Sequence, residues 1–237
     1  MKRKALIVGA TGATGRALVA LLNDNPLYEQ IVLLHYRETG MTDGRKIVEY
    51  VHSFEDLLSF RLANIDDVFC CIGTTMKKAG SKEIFSRVDK DYVIELGKWS
   101  KIQLLSSFHV ISYLGADKSS SVFYNKIKGE MEEELIQLNL HSLYIYHPPL
   151  LKAKRKEFRF GEFLGSIVLT LLSPIMFGNL KKHKPLAVEK MAASMMANAM
   201  HPEKGVHFVS SEMMQERVVV GVWSTKHEAR STEHEAQ

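Results

Sequence analysis

A tyrosine and a lysine stand four residues apart, Tyr124 and Lys128, at the start of a segment predicted to be a helix. Positions i and i+4 lie on one helix face, so the phenol and the ammonium group can share a site. A nearby ammonium favours phenolate and fits a tyrosine for proton transfer near neutral pH. Ser112, twelve positions before Tyr124 at the end of a predicted strand, could polarise a carbonyl group beside them. Because YxxxK pairs also occur by chance on helix surfaces, the surrounding fold decides between a catalytic pair and a solvated one.

A glycine-rich turn follows the apolar run Ala5–Val8 and opens a predicted helix that runs from Gly12 to about Asn23. Glycines let the backbone turn tightly and approach a pyrophosphate closely, and a helix N-terminus attracts phosphate. The alternative is a tight strand–helix turn that binds no ligand. The position directly after a buried strand favours a dinucleotide site, made of Gly9, Thr11, Gly12, Ala13, Thr14, Gly15 and Arg16.

The end of the second predicted strand, Gln30–Arg37, indicates which dinucleotide is bound. NAD-selective sites usually carry Asp or Glu about 20 residues after the glycine turn, where the carboxylate accepts a hydrogen bond from the ribose 2′-hydroxyl. Here the sequence reads His35-Tyr36-Arg37, without a carboxylate. Arg37 can instead pair with a 2′-phosphate, helped by Arg16, although both arginines could simply be solvated. The sequence therefore predicts NADP(H) as the cofactor, with NAD(H) as the alternative.

Short apolar segments alternate with amphipathic ones along the first 150 residues. Such alternation is typical of an α/β fold whose parallel sheet is covered by helices on both faces. The sequence predicts this doubly wound parallel sheet, with ligands at the carboxyl ends of its strands and a small C-terminal substrate lobe. We expect one domain over 1–224, with its core at 1–150 and the lobe at 151–210, followed by a flexible tail at 225–237. The predicted strands are Ala5–Val8, Gln30–Arg37, Lys46–His52, Asp67–Ile72, Phe108–Ser112, Leu143–Tyr146 and Val206–Ser210, and helices are predicted at Phe54–Leu62, Ser81–Lys101, Tyr124–Leu138, Phe163–Phe177 and Val188–Met200.

Composition and charge narrow the range of partners. A net charge of +4 with a pI near 8.9 mildly favours small anions and does not call for nucleic acid. The two cysteines, Cys70 and Cys71, are adjacent, which excludes a disulfide framework and favours a reducing, cytoplasmic location. The longest apolar stretch, Phe163–Phe177, is too short to span a bilayer and is interpreted as a buried helix. We expect a monomer or homodimer that binds a small-molecule substrate, with no integral membrane segment and, since HxxxH and CxxC patterns are missing, no metal site.

Four longer motifs are more specific than the glycine turn: GATGATGR, CIGTTMKKAGSKEIFSRVDKDYV, SYLGADKSSSVFYNKIKGEMEEEL and HPPLLKAKRKEFRFGE. Together they resemble the atypical short-chain dehydrogenase/reductases related to the Tat-interacting protein, over Met1 to about Met200. The resemblance implies a Rossmann fold, NADP(H) binding and an oxidoreductase-like activity, with Ser112, Tyr124 and Lys128 as the catalytic set. It also implies that the turn after the fourth strand, with Cys71, Gly73, Thr74 and Thr75, contacts the adenosine and ribose. The predicted cofactor-binding set further includes Asp89, Tyr124, Lys128 and Pro148.

Three residues depart from what the resemblance implies. Asp89 occupies the position where many extended relatives have an active-site Asn, and it could be either a proton-relay group or a carboxylate on a helix surface. Tyr113 stands where close relatives often have a second Ser. His147 stands where many have Arg before the Pro, which removes a permanent charge near the site. The basic stretch Lys152–Arg159 is either a solvated loop or an anion clamp over the cofactor or substrate.

These features predict an NADP(H)-dependent oxidoreductase of the short-chain dehydrogenase/reductase type. It would transfer a hydride between nicotinamide and a small carbonyl or alcohol substrate, while Tyr124 exchanges the hydroxyl proton. Lys128 would lower the pKa of Tyr124 and hold the nicotinamide ribose, and Ser112 would hydrogen-bond the substrate oxygen. The alternative is a regulatory or scaffold protein that binds NADPH without turnover.

Overall fold

The computed structural model describes residues 2–43, 45–149, 151–152 and 186–215, which form an α/β fold. The strands are β1 (Arg3–Val8), β2 (Tyr28–His35), β3 (Ile47–Val51), β4 (Asp67–Cys70), β5 (Ser107–Ile111), β6 (Ser142–Tyr146), β7 (Leu151–Lys152), β8 (Leu186–Ala187) and β9 (Gly205–Val209). The α-helices are α1 (Ala13–Asp24), α2 (Met76–Ala79), α3 (Lys82–Ser86), α4 (Tyr92–Ile102), α5 (Phe123–Gln137) and α6 (Val188–Met200). A 3₁₀ segment covers Phe54–Ser59, and a π-helical turn, Arg87–Asp91, joins α3 to α4.

Seven of these strands form one sheet in the order β3-β2-β1-β4-β5-β6-β9, and every neighbouring pair is parallel. The chain moves outward from β1 to β3 on one side and then returns to pair β4 with β1 on the other. The strand order therefore reverses between β1 and β4, and the carboxyl ends of these two strands flank the crevice where such sheets bind ligands. The predicted doubly wound parallel sheet is confirmed.

The central strands are buried, and their side chains alternate between two cores on the two faces of the sheet. Along β1, Leu6 and Val8 face one core, which α4 and α5 cover with residues such as Trp99. Ala5 and Ile7 face the other core, covered by α1 and α6. This two-sided burial explains why the strands read as continuous apolar runs in the sequence.

A buried carboxylate on β4 links this strand to three others at their amino ends, far from the glycine turn. Asp67 of β4 accepts two hydrogen bonds from the Arg3 guanidinium, at 2.6 and 2.8 Å. It also accepts from the Tyr28 hydroxyl at 2.8 Å and from the Ser107 hydroxyl at 2.5 Å. Four donors compensate the cost of burying this charge, so the cluster fixes the relative positions of β1, β2, β4 and β5.

The polar chain continues from Ser107 through the fully buried His109 of β5. His109 Nε2 lies 2.8 Å from the Ser107 hydroxyl oxygen, and Nδ1 lies 3.0 Å from the Tyr146 hydroxyl oxygen. Because Ser107 gives its only hydrogen to Asp67, His109 must donate from Nε2 and accept at Nδ1. The network thus requires a neutral imidazole with its hydrogen on Nε2. Burial favours the same neutral form, because it lowers the pKa of His109 to about 3.

Part of the predicted substrate lobe belongs to the main sheet, since β9 pairs with β6 and α6 packs on α1. The predicted apolar helix Phe163–Phe177, most of the basic stretch Lys152–Arg159 and the tail 225–237 lie outside the described residues. The division into a core, a lobe and a tail stays a prediction. None of the described helices has the length and apolar character needed to cross a bilayer.

Candidate active site

The glycine turn lies at the carboxyl end of β1, beside the point where the strand order reverses. Gly9 has a φ of +87°, and a Cβ there would lie 2.6 Å from the backbone of Cys71, so this contact between two strand ends requires glycine. A Cβ at Gly15 would lie 2.3 Å from the Gly9 carbonyl oxygen. At Gly12 a Cβ would meet only that oxygen among the described residues, at 3.3 Å, so the space before α1 is open.

This open space fits a pyrophosphate group. Gly12 caps α1 without a side-chain hydrogen bond, and the first turn of the helix contains no acidic residue. The N–H groups and the positive end of the helix dipole therefore favour an anionic group, such as a phosphate, in this space. Of the other residues predicted here, Thr11 and Ala13 are exposed, Thr14 is buried, and the exposed Arg16 donates from Nε to the Thr11 carbonyl oxygen at 3.0 Å.

The loop after β2 carries the residue predicted to select the dinucleotide. The buried His35 ends β2, and Arg37 follows with an exposed side chain. Glu49 of β3 folds this loop back, because it accepts hydrogen bonds from the hydroxyl (2.5 Å) and the N–H (2.8 Å) of Thr39. The Thr39 hydroxyl also contributes most to a lowered pKa of Glu49. Sequence reasoning missed Glu49, whose only signal was a lone carboxylate inside the strand Ile47–Val51.

The turn after β4 is held by a buried carboxylate from the next helical segment. Asp89 lies in the π-helical turn and accepts a hydrogen bond at Oδ2 from the Thr74 N–H at 2.7 Å. Gly73 is exposed, and a Cβ there would lie 3.4 Å from Asp89 Oδ1. Thr75 caps α2 by accepting from the Lys78 N–H at 3.2 Å. Asp89 is thus a residue of the site interior, not a helix-surface carboxylate.

Asp89 also forms a buried ion pair with the predicted catalytic lysine. Lys128 Nζ lies 2.8 Å from Asp89 Oδ1, and both side chains are at most 4% exposed. Desolvation opposes the charged amine, but the attraction and hydrogen bond of Asp89 outweigh it and raise the pKa of Lys128. Tyr124, one helical turn earlier, packs edge-on against Tyr113 with ring centroids 5.1 Å apart. The structure therefore brings Tyr124, Lys128 and Asp89 into one site.

The third predicted catalytic residue, Ser112, is buried and has an acidic partner. It donates its hydroxyl hydrogen to Oε1 of Glu132, and His147 Nε2 lies 2.9 Å from the same oxygen. Glu132 follows Tyr124 by eight positions, so both lie with Lys128 on one face of α5. A serine has one hydrogen to donate, so Ser112 presents lone pairs to a ligand in this arrangement. Sequence analysis missed Glu132, although its helical spacing was a usable signal.

The remaining predicted residues are placed as follows. Pro148 is buried directly after His147. Burial raises the pKa of Cys70 to about 12 and also raises that of Cys71, so neither thiol resembles an activated nucleophile. Within the described ranges, the histidines, cysteines and carboxylates form no group of three that could hold a metal ion.

Comparison with known proteins agrees with this geometry. Residues 4–98 match the family model of the semialdehyde dehydrogenase NAD binding domain. Among solved structures, MoeE5 in complex with UDP-glucose and NAD has a TM-score of 0.65 at 14% identity, over 87% of this chain and 75% of that one. The human epimerase family protein SDR39U1 with NADPH has a TM-score of 0.58 at 14% identity, over 88% of this chain and 74% of that one. The protein thus shares the Rossmann fold of these structures.

Curated relatives define the family more closely. Protein HTATIP2 of Rattus norvegicus is 34% identical over 167 residues, which cover 69% of each chain. The mitochondrial protein FMP52 of Candida albicans is 30% identical over 156 residues, 64% of this chain and 68% of the relative. The chain belongs to the HTATIP2 family of atypical short-chain dehydrogenase/reductases, as the sequence motifs predicted. The predicted cytoplasmic location is wrong, because several of these relatives are named as mitochondrial proteins.

Proposed function

We propose that the protein is an NADP(H)-dependent oxidoreductase acting on a small carbonyl or alcohol substrate. The observation that carries the proposal is a continuous path of contacts between two parts of the site. The glycine turn meets the turn after β4 at Gly9 and Cys71, and that turn binds Asp89 through the Thr74 N–H. Asp89 in turn holds Lys128. A dinucleotide whose phosphates lie against the glycine turn would therefore extend along the strand ends toward Tyr124.

The residues of the chain divide the work of proton transfer and orientation. When bound, the dinucleotide supplies or accepts the hydride. Tyr124 would exchange a proton with the substrate oxygen. The adjacent ammonium of Lys128 would stabilise the phenolate form of Tyr124 during that exchange. Ser112 would donate its hydroxyl hydrogen to the substrate oxygen, which requires this hydrogen to turn away from Glu132. The rings of Phe85 and Tyr113 pack against the Tyr124 ring, with centroids 5.6 and 5.1 Å away, and would help to hold the phenol in place.

The NADP(H) preference rests on Arg37. Its exposed guanidinium follows the end of β2, and one charge-assisted contact to a 2′-phosphate would contribute roughly 1.5–3 kcal/mol, or about 10- to 100-fold in affinity. Fluorescence titration of NADPH and NADH should show tighter binding of NADPH, with the difference lost in Arg37→Ala. Arg45→Ala, at another exposed arginine beyond the same strand, is the matched control and should keep it. Equal affinities in the native protein would contradict the preference.

Turnover is tested by NADPH oxidation against a panel of aldehydes, ketones and quinones. With any substrate that reacts, Tyr124→Phe should reduce kcat by about 10²–10⁴-fold while NADPH affinity barely changes. The reason is that the phenol oxygen transfers the proton, whereas the phosphates are held at the distant glycine turn. Tyr113→Phe, which removes a neighbouring hydroxyl from the same ring cluster, controls for packing. Full activity of Tyr124→Phe would rule out the proposed acid.

A second candidate is a protein that binds NADPH for regulation without turnover. One observation favours it: the hydrogen that Ser112 would offer to a substrate carbonyl is already given to Glu132. In that case the titrations would show dinucleotide binding, and no member of the panel would be reduced by the native protein.

A further inference from the structure

A carboxylate inside β3 has its hydrogen-bond donors in the loop after β2. Glu49 lies opposite Leu33 in the sheet, and its side chain is only 9% exposed. Its Oε1 accepts from the N–H (2.8 Å) and the hydroxyl (2.5 Å) of Thr39, and its Oε2 accepts from the Gly40 N–H at 3.0 Å. Burial of a carboxylate is unfavourable without such donors, so the loop stays close to β3 as long as Glu49 is ionised.

A neighbouring histidine does not take over the role of these donors. His35 Nε2 lies 3.6 Å from Glu49 Oε1, beyond hydrogen-bond distance, and burial lowers the pKa of His35. The hydrogen bonds from the loop, above all that of the Thr39 hydroxyl, lower the pKa of Glu49. The loop therefore keeps the carboxylate charged, and the charged carboxylate holds the loop.

Arg37 lies midway between two fixed points of this loop. On one side, His35 pairs with Val51 in the sheet. On the other side, Thr39 is bound to Glu49. One residue separates Arg37 from each fixed point, so its backbone is largely ordered before any ligand binds, while its side chain is exposed.

We propose that Glu49 is a positioning residue that favours NADPH over NADH by holding the backbone of Arg37 in place. The inference rests on the proposed function, in which Arg37 binds the 2′-phosphate. A cation on a fixed backbone binds an anion more tightly than the same cation on a loose loop, because the loop need not be ordered on binding. Glu49 thus acts through Arg37, although its own negative charge repels a phosphate.

The charge of Glu49 gives the inference a distinctive sign. Electrostatics alone predicts that removal of a carboxylate near the 2′-phosphate strengthens NADPH binding. Positioning predicts the opposite, since binding would then have to order about one residue of backbone, at a cost of about 5- to 30-fold in NADPH affinity. NADH has no 2′-phosphate to contact Arg37, so its affinity should stay within about twofold of the native value.

Fluorescence titration of Glu49→Gln with NADPH and with NADH tests the inference. The affinity for NADPH should fall about 5- to 30-fold, and that for NADH should not. Glu38→Gln, the matched control, removes the same charge at an exposed position next to Arg37 and should not weaken NADPH binding. In the Arg37→Ala background, Glu49→Gln should have no further effect on NADPH affinity, because its effect passes through Arg37.

Several results would overturn the inference. NADPH binding by Glu49→Gln at native strength or above would show that the carboxylate does not position Arg37. Equal weakening for both dinucleotides, or a loss that adds to that of Arg37→Ala, would make the role of Glu49 merely structural. Weakening of NADH alone would identify Glu49 as an acceptor for the ribose 2′-hydroxyl and refute the positioning role.

A second variant keeps the test decisive if Glu49→Gln does not fold. Thr39→Val removes one donor and leaves the carboxylate in place. It should weaken NADPH binding about two- to tenfold without affecting NADH, and an unchanged NADPH affinity would refute the inference. Equal affinities for the two dinucleotides in the native protein would contradict the proposed cofactor preference together with this inference, whereas a native preference that Glu49→Gln retains would refute this inference alone.

Discussion

Acidification should destabilise the fold through His109, because at mildly acidic pH this ring gains a proton in the unfolded chain but stays neutral in the native protein. Burial lowers the pKa of His109 from 6.5 to about 3. The stability that depends on the neutral ring is fully present above pH 6.5 and is lost as the pH falls toward 3. A pH of about 5 lies roughly 1.5 units below the pKa of this ring in the unfolded chain and well above its pKa in the native protein, so only the unfolded chain binds the proton. This difference lowers the free energy of unfolding by about 2 kcal/mol.

The variant His109→Phe isolates this contribution. Phenylalanine keeps an aromatic ring between Phe69 and Tyr144, whose rings stack on His109 with centroids 4.8 and 4.9 Å away. It loses the two hydrogen bonds of the imidazole, so the variant should be less stable at neutral pH by about 1–3 kcal/mol. Between about pH 7.5 and 5, the free energy of unfolding of His109→Phe should also fall by about 2 kcal/mol less than that of the native protein.

Urea unfolding of both proteins at the two pH values measures the difference. His141→Phe, at an exposed position, should retain the full pH dependence of the native protein. Other histidines and carboxylates contribute equally to both proteins and cancel in the comparison. If native protein and His109→Phe lose the same free energy of unfolding on acidification, the burial argument is refuted.

Two further predictions concern the glycine turn and the end of α1. Gly12→Val should fold but lose NADPH binding in fluorescence titration, since its side chain would occupy the open space before α1; NADPH binding at native strength in this variant would make the turn structural only. Gly15→Ala should lower the melting temperature, because its Cβ would lie 2.3 Å from a carbonyl oxygen, and an unchanged melting temperature would contradict that argument. Lys46→Met should lower the free energy of unfolding in urea by about 1–2 kcal/mol, because Lys46 Nζ donates to three carbonyl oxygens at the C-terminus of α1, at 2.6 to 2.8 Å. An unchanged unfolding midpoint in Lys46→Met would show that this cap is dispensable.

Local patterns in the sequence determined the glycine turn, the apolar strands and the face shared by Tyr124 and Lys128. Each of these depends on residues close together in the chain: a turn needs glycines at fixed positions, and helical periodicity places i and i+4 side by side. The parallel pairing of the strands followed from the alternation of strands and helices, since parallel strands need crossover connections. The dinucleotide fold could therefore be predicted before any contact was known.

Only the tertiary structure decided the electrostatics of the site. Asp89 lies 39 residues from Lys128 in the chain, so no local pattern in the sequence could pair its carboxylate with the ammonium of Lys128. The partner of Ser112 is 20 residues away on α5. Such pairs depend on how α4 and α5 pack over the sheet, and packing is set by the sum of many apolar contacts across distant segments. The sequence thus determined which groups could react, whereas the packing of the helices determined which charge each of them faces.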